Sequence, residues 1–210
     1  MAKHLDLEEQ EQLDQIKHFW SKYGNAITWV LIVVLGAFAA WNGWNWWQRS
    51  QSAKASALHT EIERAAQAKD SARLDAALAD MQARFAGTTF AGQATLLVAK
   101  ARFEAGQADQ ARAALDWLVS SGKDDAYRSI ARLRLAGIDI DAGQFDAAIR
   151  ALEAPFPAAF DALAADRRGD ALRAKGDAAG AKAQYEKAWS GFGADSEYRR
   201  LVEVKLASLG

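Results

Sequence analysis

An uncharged run of 26 residues, from Tyr23 to Gln48, constrains the fold of this chain more than any other feature. Lys22 and Arg49 bracket the run, and its centre, AITWVLIVVLGAFAAW, is almost wholly apolar. A helix rises about 1.5 Å per residue, so roughly 20 residues cross the ~30 Å hydrocarbon layer of a bilayer. Core helices of soluble proteins seldom stay uncharged over this length. We therefore predict one transmembrane helix over residues 23–48.

The segment before the run lacks the pattern of a cleavable signal peptide. Its 22 residues contain five acidic side chains and three lysines, whereas a signal peptide starts with a basic region and closes in a small-residue cleavage site. The sequence therefore predicts an anchor that stays on the protein. Apolar residues recur before the run at helical spacing, at Leu13, Ile16 and Trp20, which predicts a helical tail over residues 1–22.

Aromatic residues flank the apolar run at both ends. They are Trp20 and Tyr23 on one side, and Trp41, Trp44, Trp46 and Trp47 on the other. At about 100° per residue the last four spread around the helix instead of forming one stripe, which argues against an aromatic groove. Tyr23 and Trp44 are separated by about 31 Å of helix. Because amphipathic rings favour the level of the lipid headgroups, we predict that both groups lie at membrane interfaces.

Two further stripes lie on this helix. Small residues recur at Gly36, Ala40 and Gly43, and side-chain amides recur at Asn42, Asn45 and Gln48. Small residues let another helix approach closely, and amides can donate hydrogen bonds across such a contact. Both stripes are candidates for binding a partner helix. Since Gly and Ala are common in membrane helices, the pattern also fits a helix without a specific partner.

The charges beside the run leave its orientation open. Lys17 and Lys22 precede it, while Arg49, Lys54 and Arg64 follow it, and acidic residues count for little in membrane orientation. A short tail before a first anchor more often stays cytosolic. We therefore expect the C-terminal part to cross the membrane.

Composition excludes several classes of function. The net charge of −1 gives no basic field for nucleic acid, and the absence of Cys excludes disulfides and thiolate metal sites. No His follows His59, and no catalytic or phosphate-binding motif occurs. Asp139 and Asp141 diverge on a helix, and Asp124 suits an N-cap better than a metal site. We predict a protein that is not an enzyme, without metal, cofactor or small-molecule substrate.

A repeat with a period near 34 residues organises the part after Arg49. It is centred on Gly106, Gly143 and Gly176, with spacings of 37 and 33. A small residue stands seven before each glycine, Ala five after it and a bulky apolar residue nine after it. The small residues are Ala99, Ala136 and Gly169, the alanines are Ala111, Ala148 and Ala181, and the bulky residues are Leu115, Leu152 and Tyr185.

Each column of this repeat has a physical reason. Glycine lets the backbone reverse between antiparallel helices, small residues allow close packing, and the bulky residue fills the space towards the next hairpin. This is a degenerate tetratricopeptide pattern, in which Thr95, Arg132 and Ala165 replace the usual Trp. The sequence predicts an all-α chain with a solenoid of such hairpins over residues 49–210. A last helix, capped by Asp195, is expected to close it.

Stacked hairpins offer an extended surface for protein partners. Five arginines on two of the predicted helices are candidates for contacting an acidic or extended peptide, although exposed arginines often have no partner. They are Arg128, Arg132, Arg134, Arg167 and Arg168.

Anchor, aromatic ends and repeats together resemble the YfgM family of ancillary subunits of the SecYEG translocon. The stretch ADRRGDALRAKGDAAGAKAQYEKAW, residues 165–189, carries the clearest likeness. The resemblance implies a single-pass protein of the bacterial inner membrane, with a cytosolic N-terminus and periplasmic repeats. It also implies association with Sec translocon subunits and with a membrane-anchored periplasmic chaperone of the PpiD type, in a scaffold or chaperone-associated role during export.

The same resemblance implies an alternative. Some relatives are linked to restraint of an envelope-stress regulator, so the repeats are also candidates for binding a signalling protein. A membrane-tethered hydrolase is disfavoured by the residue inventory.

Overall fold

A computed structural model describes residues 7–209 of the chain, with side chains from Glu11 onward. Every regular element in that range is helical, which confirms the all-α class. The α-helices are α1 (Leu7–Gln67), α2 (Ser71–Phe85), α3 (Thr89–Glu104), α4 (Ala108–Ser121), α5 (Asp125–Asp141), α6 (Phe145–Glu153), α7 (Asp161–Lys175), α8 (Ala178–Gly191) and α9 (Glu197–Ala207). A 3-10 turn, Ala158–Phe160, precedes α7.

The chain divides into two compact units, one up to Ser50 and one from Gln51 onward. The described part of the first unit consists of α1 up to Ser50, and the last residues of α1, from Gln51 to Gln67, belong to the second unit. Among the described residues, α1 is the one helix that is long and apolar enough to cross a membrane. The predicted tail falls on the same helix from Leu7, and residues 1–6 lie outside the described range.

Three helical hairpins make up most of the second unit: α3 with α4, α5 with α6, and α7 with α8. Their turns contain Gly106, Gly143 and Gly176, whose φ angles are 77°, 72° and 94°. Only glycine adopts this left-handed conformation without steric cost. The residue after each glycine donates its N–H to the carbonyl oxygen five positions earlier, at 2.9, 2.7 and 2.9 Å. These bonds end the first helix of each hairpin in the same way.

The packing columns of the repeat are buried. Ala111, Ala148 and Ala181 are 0% exposed, and the bulky side chains nine after each glycine are 5% exposed or less. Helix α5 contacts both α3 and α7, so the first helices of the three hairpins lie side by side. The solenoid therefore has one face made of first helices, which we call the repeat face: α3, α5 and α7.

Helix ends agree with the sequence in one place and differ in another. Asp124 caps α5, because its carboxylate accepts hydrogen bonds from the N–H groups of Ala126 at 2.8 Å and Tyr127 at 3.3 Å. The expected cap of α9 by Asp195 is wrong. Helix α9 starts at Glu197 with Ser196 as the N-cap and no side-chain capping bond. A tight turn, in which the N–H of Ser196 donates to the carbonyl of Gly193 at 3.0 Å, precedes the helix.

Candidate functional site

A groove opens on the repeat face of the second unit. It has a volume of about 250 Å³ and is open to solvent. Helix α3 contributes Ala99, Lys100 and Phe103, α4 contributes Leu115, α5 contributes Leu133, Arg134, Gly137, Ile138 and Asp141, and α7 contributes Arg167. We call these residues the repeat groove. Its floor is apolar and its edge carries the charges.

Arg134 lies at the edge of the repeat groove and reaches across to the neighbouring first helix. Its Nη1 donates a hydrogen bond of 2.8 Å to the carbonyl oxygen of Leu96 on α3. Partial removal from water lowers the pKa of its guanidinium, which stays protonated at neutral pH. No ion pair within the described part of the chain involves Arg134. Among the described residues, its charge therefore has a backbone acceptor but no paired carboxylate.

Arg167 is the second arginine of the repeat groove. Its nearest carboxylate is Asp170, one helical turn along α7, with an N–O distance of 3.8 Å. Asp170 already accepts shorter bonds from Lys205 Nζ at 2.7 Å and from the Tyr185 hydroxyl at 2.9 Å. Arg167 therefore shares a carboxylate whose stronger contacts lie elsewhere. The fold brings Arg134 and Arg167 to one groove.

Arg132 is used inside its own hairpin. Its guanidinium donates to the carbonyl oxygens of Ala151, Ala154 and Pro155 at 2.9, 2.7 and 2.9 Å, and stacks over Phe156 at 3.8 Å. Burial, together with the nearby charge of Arg128, lowers the pKa of Arg132. This arginine therefore satisfies carbonyl groups in the last turn of α6 and just after it.

The other two candidate arginines also lie outside the repeat groove. Arg128 donates from Nε to the carbonyl of Val119 at 3.1 Å and from Nη1 to Asp125 at 3.1 Å. Arg168 contacts Glu153 at 3.3 Å, beside a smaller polar cavity, and its Nε is buried without a partner. The five arginines therefore do not form one cluster.

A buried carboxylate and a half-buried one contact a lysine where α7, α8 and α9 join. Lys205 Nζ lies 2.7 Å from a carboxylate oxygen of Asp166 and 2.7 Å from one of Asp170. Burial raises the pKa of the Asp166 carboxyl, while the hydrogen bond from Lys205 opposes that change. Burial, with the hydrogen bond to Asp170, raises the pKa of the Tyr185 hydroxyl. These contacts attach the last helix to the solenoid.

Residues 11–209, whose side chains the structure describes, contain no group of three or more His, Cys, Asp or Glu side chains placed to hold a metal ion. The side chains of Asp139 and Asp141 differ in burial and in their contacts. Asp139 is buried and accepts a bond of 2.5 Å from Arg112, whereas Asp141 is exposed in the repeat groove. The side chains that line the repeat groove can make charge, hydrogen-bond and apolar contacts.

The repeat-defining positions in the sequence are buried, and most residues of the repeat groove were not predicted. Lys100, Phe103, Gly137 and Asp141 were not among the predicted site residues. A signal did exist in the repeat register, because Arg134 and Arg167 each precede the glycine of their hairpin by nine residues. Equivalent positions of neighbouring repeats lie next to each other in a solenoid, so this shared register could have selected these two arginines.

In the first unit the predicted interface aromatics are exposed, from 45% for Tyr23 to 73% for Trp46. Gly36 and Gly43 have no atoms of other side chains near the position of a Cβ, so their faces are open. Asn42 donates its amide to the carbonyl of Phe38 at 2.9 Å, one turn earlier. The roles in membrane and partner contact stay predictions.

Comparisons with known proteins agree with this architecture. The family described as a tetratricopeptide repeat-like domain matches residues 17–210. A protein of Neisseria gonorrhoeae named "Ancillary SecYEG translocon subunit" is 32% identical over 210 residues, which is 100% of each chain. Proteins of the same name from Haemophilus influenzae and Escherichia coli are 30% and 28% identical. These alignments cover 97% and 85% of this chain and 98% and 85% of the relatives.

The repeat turns, the buried columns and the apolar first helix are thus found in a chain that aligns from end to end with a curated relative. The relatives carry the name of an ancillary subunit and not of a catalyst. The chain belongs to the YfgM family of tetratricopeptide repeat-like ancillary SecYEG translocon subunits.

Proposed function

We propose that this chain is a membrane-anchored, non-enzymatic ancillary subunit of the Sec protein-export channel. The apolar part of α1 spans the bacterial inner membrane, with the N-terminus in the cytosol and the repeats in the periplasm. The repeats bind protein partners during export and periplasmic folding, among them a membrane-anchored chaperone of the PpiD type. One observation carries the proposal: the Neisseria gonorrhoeae relative aligns with the apolar helix and the repeats together, over the whole of both chains.

The exposed apolar side chains of α1 support a membrane anchor. Val33, Leu35 and Phe38 are 65%, 63% and 66% exposed. Soluble proteins rarely leave a contiguous apolar surface of this kind in water, since burying apolar area gains about 25 cal/mol per Å². A bilayer removes this surface from water and leaves no backbone group unsatisfied, because a helix pairs its own N–H and C=O groups.

The second unit supports a binding role. Its repeat face carries an open groove with arginines that have spare hydrogen-bonding capacity, and no metal cluster occurs among the described residues. Helical repeats of this kind stack into extended surfaces for other chains. Recognition of protein partners is therefore the activity that these residues favour.

Membrane orientation is tested first, because each proposed partner depends on the compartment of the repeats. Alkaline phosphatase, which is active only after export, is fused to the C-terminus, and a fluorescent reporter that matures only in the cytosol replaces it in a matched fusion. The proposal expects an active phosphatase and a dark reporter. An inactive phosphatase with a bright reporter would contradict the periplasmic placement.

The partner in the membrane is tested by photocrosslinking. A photoreactive residue replaces Asn45 in one variant and Ala40 in another, so the amide stripe and the small-residue stripe are sampled separately. We expect a crosslink to a channel subunit, or to the anchor of a chaperone, from at least one position. Lipid adducts alone from both positions would contradict the proposal. Capture of a stress-signalling protein in place of these partners would favour the regulatory alternative.

A further inference from the structure

The repeat groove has an excess of positive charge over an apolar floor. Lys100, Arg134 and Arg167 line it, against one carboxylate, that of Asp141. The nearest carboxylate to Lys100 is Glu104, at 3.7 Å, and both side chains are 63% exposed, so water screens this pair. Phe103, which also lines the groove, is 42% exposed and offers an aromatic surface to a ligand. The groove is therefore complementary to a ligand that is both apolar and acidic.

The two arginines have free donors for such a ligand. A guanidinium has five N–H donors, and Arg134 makes one hydrogen bond in the described part of the chain, to the carbonyl of Leu96. Among the same described residues, the one polar contact of the Arg167 guanidinium is that with Asp170, at 3.8 Å. Hydrogen bonds from guanidinium to carboxylate are roughly twice as strong as bonds between neutral groups. A carboxylate entering the groove would gain bonds without displacing a stronger partner.

The size of the groove restricts the kind of ligand. Its volume of about 250 Å³ lies below the roughly 300–1,000 Å³ typical of pockets that enclose small molecules. The absence of a side chain at Gly137 keeps the space between Arg134 and Arg167 open, since a Cβ at Gly137 would meet only Nη1 of Arg167, at 3.9 Å. The groove therefore suits one or two side chains of a longer chain that lies across the helices.

We propose that the repeat groove binds an extended protein segment in which an apolar residue and an acidic residue are separated by one position. Successive side chains of an extended chain point to opposite sides, so residues i and i+2 enter the groove together. The apolar side chain packs on Phe103, and the carboxylate accepts hydrogen bonds from Arg134 and Arg167. This inference rests on the proposed function, because it names the class of segment that the repeats would bind.

Peptide binding to the full chain tests the inference. The protein is held in nanodiscs of zwitterionic lipid, and the probe is a fluorescein-labelled peptide, Gly-Ser-Leu-Ser-Glu-Ser-Gly. Two matched probes replace Glu with Gln or Leu with Ser. We expect fluorescence anisotropy to give about tenfold weaker binding for each matched probe, and weaker binding of the first probe at high salt. Equal affinity of the Glu and Gln probes would overturn the inference.

Variants locate the binding site. Arg134→Gln and Arg167→Gln should each weaken the Leu–Glu probe about tenfold. Gly137→Leu fills the groove and should abolish discrimination between the three probes. Arg150→Gln is the control, since Arg150 is exposed on α6 and does not line the groove. Circular dichroism verifies that each variant keeps its helical content, and a folded Gly137→Ala variant that discriminates as the wild type does excludes an effect of unfolding.

Two other occupants are distinguished by the same variants. If Arg134→Gln instead abolishes binding to peptide-free vesicles of anionic lipid, or a dimer formed by the wild type, the inference is overturned.

The peptide assay and the crosslinking experiment can fail independently of each other. A channel crosslink from Asn45 without peptide discrimination would refute the groove alone, whereas peptide discrimination with only lipid adducts would refute the Sec association alone.

Discussion

Gly169 on α7 lies directly against the ring of Tyr185 on α8: a Cβ built on this glycine would be 2.5 Å from Cε1 of the tyrosine. The tyrosine is 0% exposed, and its hydroxyl donates to Asp170 at 2.9 Å, so the ring is held at both ends. The close approach of the two helices therefore depends on the missing side chain at position 169.

Gly169→Ala should destabilise the repeats by about 1–3 kcal/mol, the usual cost of overpacking a filled core. Gly137→Ala is the matched control, because Gly137 is also inside a first helix but faces the open groove. It should stabilise the protein by up to about 1 kcal/mol, since Ala favours helix more than Gly. Urea unfolding followed by circular dichroism measures both changes. Equal effects of the two substitutions would contradict the packing argument.

Arg102 joins the first two helices of the second unit after α1. It is 4% exposed, and its guanidinium contacts Asp75, donates to the hydroxyl and the carbonyl of Ser71 at 3.1 Å each, and donates to Gln107 at 2.7 Å. We expect Arg102→Ala to cost about 2 kcal/mol or more, because charged hydrogen bonds are lost together.

The control for Arg102 is Arg84→Ala. Arg84 pairs with Asp80 at 2.9 Å one helical turn away, and its side chain is 61% exposed. Exposed pairs contribute at most about 1 kcal/mol, so urea unfolding should give a much smaller change. A loss for Arg84→Ala as large as that for Arg102→Ala would show that burial does not decide the cost.

Asp166 should make stability depend on pH. Burial raises the pKa of its carboxyl above 3.8, so the folded protein binds this proton more tightly than the unfolded chain. The contribution of Asp166 to stability is therefore full below pH 3.8 and falls as the pH rises through the folded pKa. As the pH rises through this window, the unfolding free energy of the wild type should fall relative to that of Asp166→Asn. Above the folded pKa the difference between the two proteins should stay constant.

Asp146 provides a control of opposite sign. A hydrogen bond from Lys175 Nζ, at 2.7 Å, lowers the pKa of the Asp146 carboxyl. Its contribution is present above pH 3.8 and is lost as the pH falls through the folded pKa. From about pH 3 to pH 7, the unfolding free energy of the wild type should therefore rise relative to that of Asp146→Asn. The same trend for both variants would contradict the assignment.

Arg132→Ala should loosen the segment after α6. The guanidinium donates to two carbonyls of that segment and to the carbonyl of Ala151 in the last turn of α6, and without it Phe156 loses its stacking partner. Amide hydrogen exchange should become faster around residues 151–160, while the Leu–Glu peptide should bind as it does to the wild type. Arg150→Ala should leave exchange unchanged. Lost peptide binding with unchanged exchange would instead place Arg132 in the binding site.

The repeat turns could be predicted because their cause is local. The turn requires glycine, and close helix packing requires small residues at fixed distances from it, so both can be recognised in the sequence. The structure places each of these residues in a turn or in the core. The membrane-spanning segment could also be predicted, because the length and hydropathy of the uncharged run are enough to define it.

Contacts between distant residues could not be predicted in the same way. Arg102 and Ser71 are 31 positions apart, and nothing in the composition marks this arginine as buried while Arg84 is exposed. The repeat groove also depends on which outward positions of α3, α5 and α7 meet, and that is fixed by packing between hairpins. The predicted cap of α9 was wrong for a smaller reason, because a tight turn moves the N-cap by one residue, from Asp195 to Ser196.

The three glycine turns close hydrogen bonds between residues only five positions apart, and each hairpin packs mainly on the next. Such short-range contacts keep contact order low, which favours fast folding. Each hairpin can consequently reach its final conformation as soon as its predecessor is in place, in the order in which the residues are synthesised. A chain built this way exposes only one unfinished edge at a time while it is being made.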